Sequence, residues 1–551
     1  MRKKVAGKLL SVVLAVSMVA GMLGGCGQAG GNSADGTQES VQPSSEAAAG
    51  GTEAAAEKEP ITFQIAASKH ALSQCDDFND KVVFQMAEEA TGVHIDWITI
   101  EDGASEKVNA LLTADLPDAF LGTVNENQIA ASMDSFMDVS GMLDTYAPHV
   151  VADYNKMQEN GIDLLTWPDG SIRSLMTGLE VNYENDGEAI MYINSEWLDK
   201  VGMEAPTTVD ELYEVLCAFR DNDMNGNGDP DDEIPMEMTT ANWAAQFNNL
   251  LNPWGIAAES GSSDIDYGKM VKNGEVVSTF DTDEYRAYLD YMHKLYADGL
   301  LDEEGFAQTN DQFYAKLQSG VVGCYYGWTP YSNFDEDEAA KWVPVRVLQA
   351  EEDIVPVKSG KRDRLFANRT GFVITTACEA PERLLEWWDY LSSSTEIKYT
   401  MRFGEKGGYW DIDENGQVYQ KTPEGLTVDF TVENYKQTYG MNDVCTLILK
   451  DESIAVSEEE AFSTWIRSRY VDEIWDQLPT EYLPTRFVDP AKVDERTFIQ
   501  TELSTYISNF NATSIVEGID DAGWQLHLDQ LEALGYYDWV QWYRDFYEGN
   551  F

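Results

Sequence analysis

The sequence predicts an α/β protein of at least two lobes that closes in a mainly helical C-terminal region. Three observations predict it. The first folded segments run strand, helix, strand, the order that builds a sheet with crossover helices. Roughly 490 residues follow the N-terminal leader and tether, too many for one hydrophobic core. From Ser457 onward the pattern is mainly helical, and no internal repeat interrupts the series.

Residues 61–66 (Ile-Thr-Phe-Gln-Ile-Ala) open as a strand. Phe78, Val82, Val83 and Met86 recur at helical spacing across 78–90. Residues 93–100 alternate and read as the second strand. Thr208 and Glu211 form a capping box behind Pro206, and Leu212, Val215, Leu216 and Phe219 line one face of the helix that follows. Thr282 caps another helix, with Tyr285, Leu289, Met292 and Leu295 inward and Gly299 as its stop. Residues 321–328 and 371–375 read as strands. Pro381 starts a helix over 382–391 in which Trp387 and Trp388 take core positions.

The leader has its own logic. Arg2, Lys3, Lys4 and Lys8 precede an apolar run over 9–23, too short for a bilayer span. Leu23-Gly24-Gly25-Cys26 reads as a lipobox, the signal for cleavage before Cys26 and attachment of lipid to it. Residues 1–25 are therefore expected to be a lipoprotein signal peptide. Residues 26–59, poor in large apolar side chains, are expected to be a flexible tether. The expected address is the outer face of a bacterial cell membrane. Loss of the leader leaves 33 basic residues against 97 acidic ones, a net charge of −64. That charge repels nucleic acids and anionic lipid. The cysteines after Cys26 (Cys75, Cys217, Cys324, Cys378 and Cys445) are odd in number and widely spaced, with no zinc pair or disulfide framework.

The richest segment is 221–235. Oxygen side chains alternate at Asp223, Asn225 and Asn227, Gly228 is sixth from Asp223, and Asp229 is seventh. Asp231, Asp232 and Glu233 follow, but the twelfth position is Ile234, where an EF-hand carries a bidentate Glu. The loop opens like an EF-hand and closes differently, and a structural calcium ion is expected there.

With residues 197–203, 206–212 and 233–235, this loop forms a specific string. Leu116-Pro117-Asp118, 295–302, 316–320, Trp524 and 531–535 extend it in order. The chain resembles the extracellular solute-binding lipoproteins of bacterial ABC importers, within the large oligosaccharide-binding group that includes alginate-oligosaccharide-binding proteins. The resemblance implies a two-lobed periplasmic-binding-protein-like fold of class II type, a hinge, a sugar held between the lobes, a permease partner, and calcium far from the ligand. It implies a first lobe from 60–180 and 369–440, and a second from 181–368 and 441–551. The family pattern matches Asp223, Asn225, Asn227 and Asp229. Which two of Asp231, Asp232 and Glu233 close the site stays open, because the loop runs one residue longer.

Fifteen Trp and 27 Tyr supply apolar faces on which sugar rings pack. Trp328, after a Gly at a strand end, is the first candidate platform. Trp243 and Trp410 follow, with Tyr409 beside the latter. Asn242, Asn182, Tyr183 and Arg369 are the polar candidates. The rival class, an enzyme, finds no Gly-x-Ser-x-Gly, His-Glu-x-x-His or Walker signature and only five scattered His. A calcium-using adhesin would need repeated β modules, which the sequence lacks. The negative charge favours a neutral oligosaccharide over a uronic one. The basic stretch 358–364 reads as a solvated loop.

Overall fold

A computed structural model describes residues 59–101, 105–181, 188–258, 261–358, 365–427, 430–456 and 462–550. The lipobox, the tether up to residue 58, Asn182, Tyr183 and residues 359–364 lie outside these. In chain order the principal strands are β1 (Ile61–Lys69), β2 (Val93–Glu101), β3 (Ala119–Leu121), β4 (Leu175–Thr177), β5 (Ile190–Asn194), β6 (Cys324–Gly327), β7 (Trp342–Val345) and β8 (Asn368–Ile374).

They form two separate sheets. The first has the order β2-β1-β3-β8-β4. β1 runs parallel to β2, from Ile61 opposite Val93 to Lys69 opposite Glu101, and parallel to β3. The expected strand-helix-strand opening is therefore present. β8 returns from much later in the chain and lies antiparallel between β3 and β4. Gly371 permits that return, since a Cβ there would sit 2.1 Å from the Thr177 hydroxyl. The helix Pro381–Leu391 covers the sheet, with Trp388 stacked on Phe372 at 4.3 Å and Trp387 against Phe84. Both tryptophans are core residues, as their spacing predicts.

The second sheet has the order β6-β5-β7, all antiparallel. Ile234 and Glu237 bridge in parallel to Val322 and Tyr325, so the chain leaving the 221–233 loop runs along β6. The helix Val209–Arg220 enters that loop and carries the expected capping box. Thr282 caps the helix Asp283–Ala297, accepting from the Tyr285 amide.

One expectation shifts. The 78–90 helix is a short turn, Phe78–Asp80, followed by a helix at Val82–Thr91. Asp77 caps the turn and Lys81 is extended, which separates the two. The chain just past residue 440 stays close to the first sheet. Residues 445–448 still belong to the first sheet's edge, where Thr446 bridges Thr177 and Ile448 bridges Leu179. Beyond them the chain is helical: Phe462–Ile474, Pro490–Glu517, Asp521–Ala533 and Tyr536–Glu548. The helix Pro490–Glu517 packs on both Asp283–Ala297 and Glu126–Ala131. The five cysteines after residue 59 are free thiols. No helix among the described residues is long and apolar enough to cross a membrane.

Candidate functional site

The 221–233 loop folds inward on its own oxygens. Asp223 accepts from the amides of Gly226 (2.7 Å) and Gly228 (3.0 Å). Gly228, at φ 94, takes a turn that L side chains rarely adopt. Asn225 accepts from the Asn227 amide, and Asn227 from the Asp229 amide. Asp232 lies against the side-chain amides of Asn225 (3.2 Å) and Asn227 (2.6 Å). Glu233 Oε1 accepts from the Met224 amide at 2.6 Å, while Oε2 is buried without a hydrogen-bond partner. Asp231 is exposed. Among the described residues, no three His, Cys, Asp or Glu side chains converge tightly enough to mark a metal site. The donor set still fits a hard cation. It is all oxygen, two of its five side chains are neutral amides, and one carboxylate oxygen, Glu233 Oε2, is buried without a hydrogen-bond partner. Asp223, Asn225, Asn227, Asp232 and Glu233 would hold the ion.

A separate cleft of about 1250 Å³ lies between loops of the second sheet and elements attached to the first. Trp328 leaves the end of β6 and Trp243 leaves the loop after Met238, their ring centroids 6.2 Å apart at 50°. Trp243 is 47% exposed and Trp328 is half-buried. Exposed indole is unusual where core packing is available, and both rings line the cleft. Asn242 shapes this wall from behind. Its Oδ1 accepts from the Ala244 amide, and its Nδ2 donates to Asn310 and Tyr314.

The opposite wall is polar. The helix Val432–Tyr439 starts at Thr431 and brings Glu433, Asn434 and Lys436 to the cleft. Buried Lys81 holds its far end, donating to the carbonyls of Gln437, Thr438 and Gly440, and burial pushes that ammonium down to about 8. Burial works to raise the Glu433 carboxyl. The Lys436 ion pair at 2.5 Å and a bond from Gln437 outweigh it and keep Glu433 below the usual range. Tyr409 lines this wall, edge-on to Phe403. Arg402 lies beside it, nine-tenths buried over Phe403, and its Nε has no hydrogen-bond partner. Among the described lining residues Glu433 is the one carboxylate, against Arg402 and Lys436. The cleft does not share the sign of the whole chain.

Trp328, Trp243, Asn242 and Tyr409 thus meet at one cleft. Two candidates do not. Trp410 is fully buried, donates Nε1 to the Gly404 carbonyl and packs on Tyr399, so it is a core residue. Arg369 pairs with Glu126 at 3.1 Å and lies over Phe487 at 4.0 Å, away from the cleft. Sequence reasoning missed the 432–439 helix and Arg402. The Thr431-to-Asn434 cap was a readable signal for the helix, but nothing local placed it opposite the tryptophans. A lining that combines two indoles with hydrogen-bonding side chains suits a molecule with flat apolar faces and a rim of hydroxyls.

Two sheets of this topology, a late return strand and an aromatic cleft define the two-lobed α/β fold of solute-binding proteins. No family model matches the chain. It is homologous to the fructooligosaccharide ABC transporter substrate-binding protein FusA of Streptococcus pneumoniae serotype 4. The two are 27% identical over 525 residues, covering 90% of this chain and 91% of that protein. The structure of FusA in complex with kestose superposes with a TM-score of 0.77 at 24% identity, over 89% of this chain and 99% of that one. A FusA EF-hand mutant in complex with fructo-nystose gives the same TM-score at 23% identity, with the same coverage. An HMO-binding ABC-transporter-associated solute-binding protein of Bifidobacterium longum infantis gives 0.75 at 23% identity, covering 89% and 99%. Alginate-binding AlgQ2 gives 0.64 at 17% identity, covering 89% and 98%.

Proposed function

We propose that this chain captures a neutral oligosaccharide in the cleft and delivers it to the membrane permease of an ABC importer, held at the outer cell surface by lipid on Cys26. The observation that carries the reading is the paired, solvent-facing Trp243 and Trp328 opposite a hydrogen-bonding wall. The sugar stacks on the indoles and its hydroxyls meet Asn434, Arg402 and their neighbours. The homology to FusA supports the same class of ligand. The first lobe comprises the β2-β1-β3-β8-β4 sheet with residues 375–455, and the second comprises the β6-β5-β7 sheet with the C-terminal helices. The lobes close on the ligand about the connecting segments. Calcium at 223–233 is structural and fixes the helix Val209–Arg220 to the strand that follows. In this reading the sugar is carried uncut, a role supported by the homology to FusA, a substrate-binding protein.

A second reading, an acidic oligosaccharide, is favoured by Arg402, a buried guanidinium facing a cleft of locally positive balance. Calorimetric titration with kestose, nystose, xylo- and malto-oligosaccharides and oligogalacturonides separates the two. Binding of a neutral member with the uronic oligomers silent is expected. Uronic binding alone transfers the assignment to the second reading. Chromatography after prolonged incubation should return the sugars uncut.

A further inference from the structure

We propose that Arg467 is the positioning residue of the sugar platform, holding Trp328 in the orientation that faces the cleft; this deepens the reading above and rests on it. Arg467 projects from the helix Phe462–Ile474 and is 1% exposed. Its guanidinium carbon lies 3.4 Å from the centroid of the Trp328 ring, so the planar cation stacks on the indole. The same guanidinium donates Nη1 to the Trp328 carbonyl at 2.8 Å and Nη2 to the Glu188 carbonyl. Tyr192 of β5 donates its hydroxyl to that Trp328 carbonyl at 3.0 Å.

One side chain therefore holds Trp328 twice, through its backbone and through its ring. A backbone anchor alone would leave the ring free to change rotamer, and a ring contact alone would leave the loop free to shift. Both together leave one arrangement, in which the uncovered part of the indole lines the cleft with Trp243. The third anchor extends this to the segment entering β5, where Glu188 takes φ 42, a conformation rare for a residue with a side chain. Platform, entry segment and C-terminal helix meet on a single guanidinium. Lysine keeps the charge but has neither the plane nor the fork.

The test uses full-length mature protein labelled with 5-fluorotryptophan, the Trp328 resonance being assigned by its loss in Trp328→Phe. In ligand-free Arg467→Lys that resonance is expected to shift and broaden, while those of Trp387 and Trp388 stay in place. With kestose, or whichever neutral oligosaccharide the calorimetric panel selects, affinity should fall by about tenfold, the scale of a lost planar cation contact on an indole. An unmoved Trp328 resonance in Arg467→Lys overturns the proposal, as does a shift shared equally by Trp387 and Trp388, which would mark general loosening of the fold. If Trp328 moves but no oligosaccharide binds the wild-type protein, positioning stands and the functional reading fails.

Discussion

Trp167 and Phe487 lie flat on one another, with ring centroids 4.2 Å apart and planes 2° from parallel. The first belongs to the segment leading into β4, the second to the approach to the C-terminal helices. The Arg369 guanidinium sits over the same phenyl ring. This stack fastens the C-terminal region to the first sheet. Phe487→Ala should cost about 3–5 kcal/mol of stability, the usual range for deleting a buried phenyl. Arg369→Ala strands Glu126 and should lower Tm without a matching loss of affinity. Denaturant melts and calorimetry on the same variants check both, and a selective loss of affinity in Arg369→Ala would return that residue to the binding site.

The tryptophans should divide in the same way. Trp243→Ala and Trp328→Ala should each weaken sugar binding by about 1–3 kcal/mol, as expected for a large contact at a desolvated site. Trp410→Ala should instead unfold the protein at lower temperature, because its ring is fully buried. Titration calorimetry with the preferred oligosaccharide, run beside thermal melts, separates the two behaviours.

Calcium removal should lower Tm, since an ion that binds only the folded state stabilises it. Asp223→Ala and Glu233→Gln should melt at one temperature with or without chelator. Metal analysis of protein purified in calcium should return one ion per chain, and a count of zero refutes the site.

His527 gives the fold a pH dependence of known sign. It stacks on Phe510 at 3.9 Å, Nε2 meets the Phe280 carbonyl and therefore donates, and Nδ1 accepts from the Tyr506 hydroxyl. Burial pushes the imidazole down to about 4. The unfolded chain, near its ordinary value of about 6.5, binds the proton that the fold refuses. The stabilisation is complete above that value and is lost as pH falls toward 4, by up to about 3 kcal/mol. Tm between pH 7 and 4.5 should fall less steeply in His527→Gln than in wild type; equal slopes would show that His527 does not titrate with folding.

Local signals were legible in the sequence because they are local. The caps at Thr208 and Thr282 and the alternating oxygens from Asp223 concern neighbours in the chain, and all are present. Trp328 and Trp243 stood out through flanking Gly and polar residues. Trp410 carried the same flag, yet Gly408 serves another end: a Cβ there would sit 2.1 Å from the Tyr435 hydroxyl. Gly327 beside Trp328 likewise makes room for a tyrosine, since a Cβ there would sit 2.7 Å from the Tyr325 ring, so a flanking Gly does not by itself mark a cleft residue. Arg369 shows the parallel limit for charge, since its partner Glu126 is remote in the chain. The net charge of −60 pointed to a neutral ligand, but it says little about the cleft itself, because it is spread over the surface while Arg402 and Lys436 face the cleft.

The position of β8 also governs how the molecule can be made. β3 and β4 are both synthesised by residue 177, but they are neighbours only through β8. Until residues 368–374 leave the ribosome, the nascent chain carries open edges at β3 and β4 and an apolar face that the helix Pro381–Leu391 has yet to cover. Such edges invite pairing with other chains. Most of the second sheet's residues emerge during that interval. The first sheet, though begun first, is completed after the second, and any fragment ending before β8 carries only part of it.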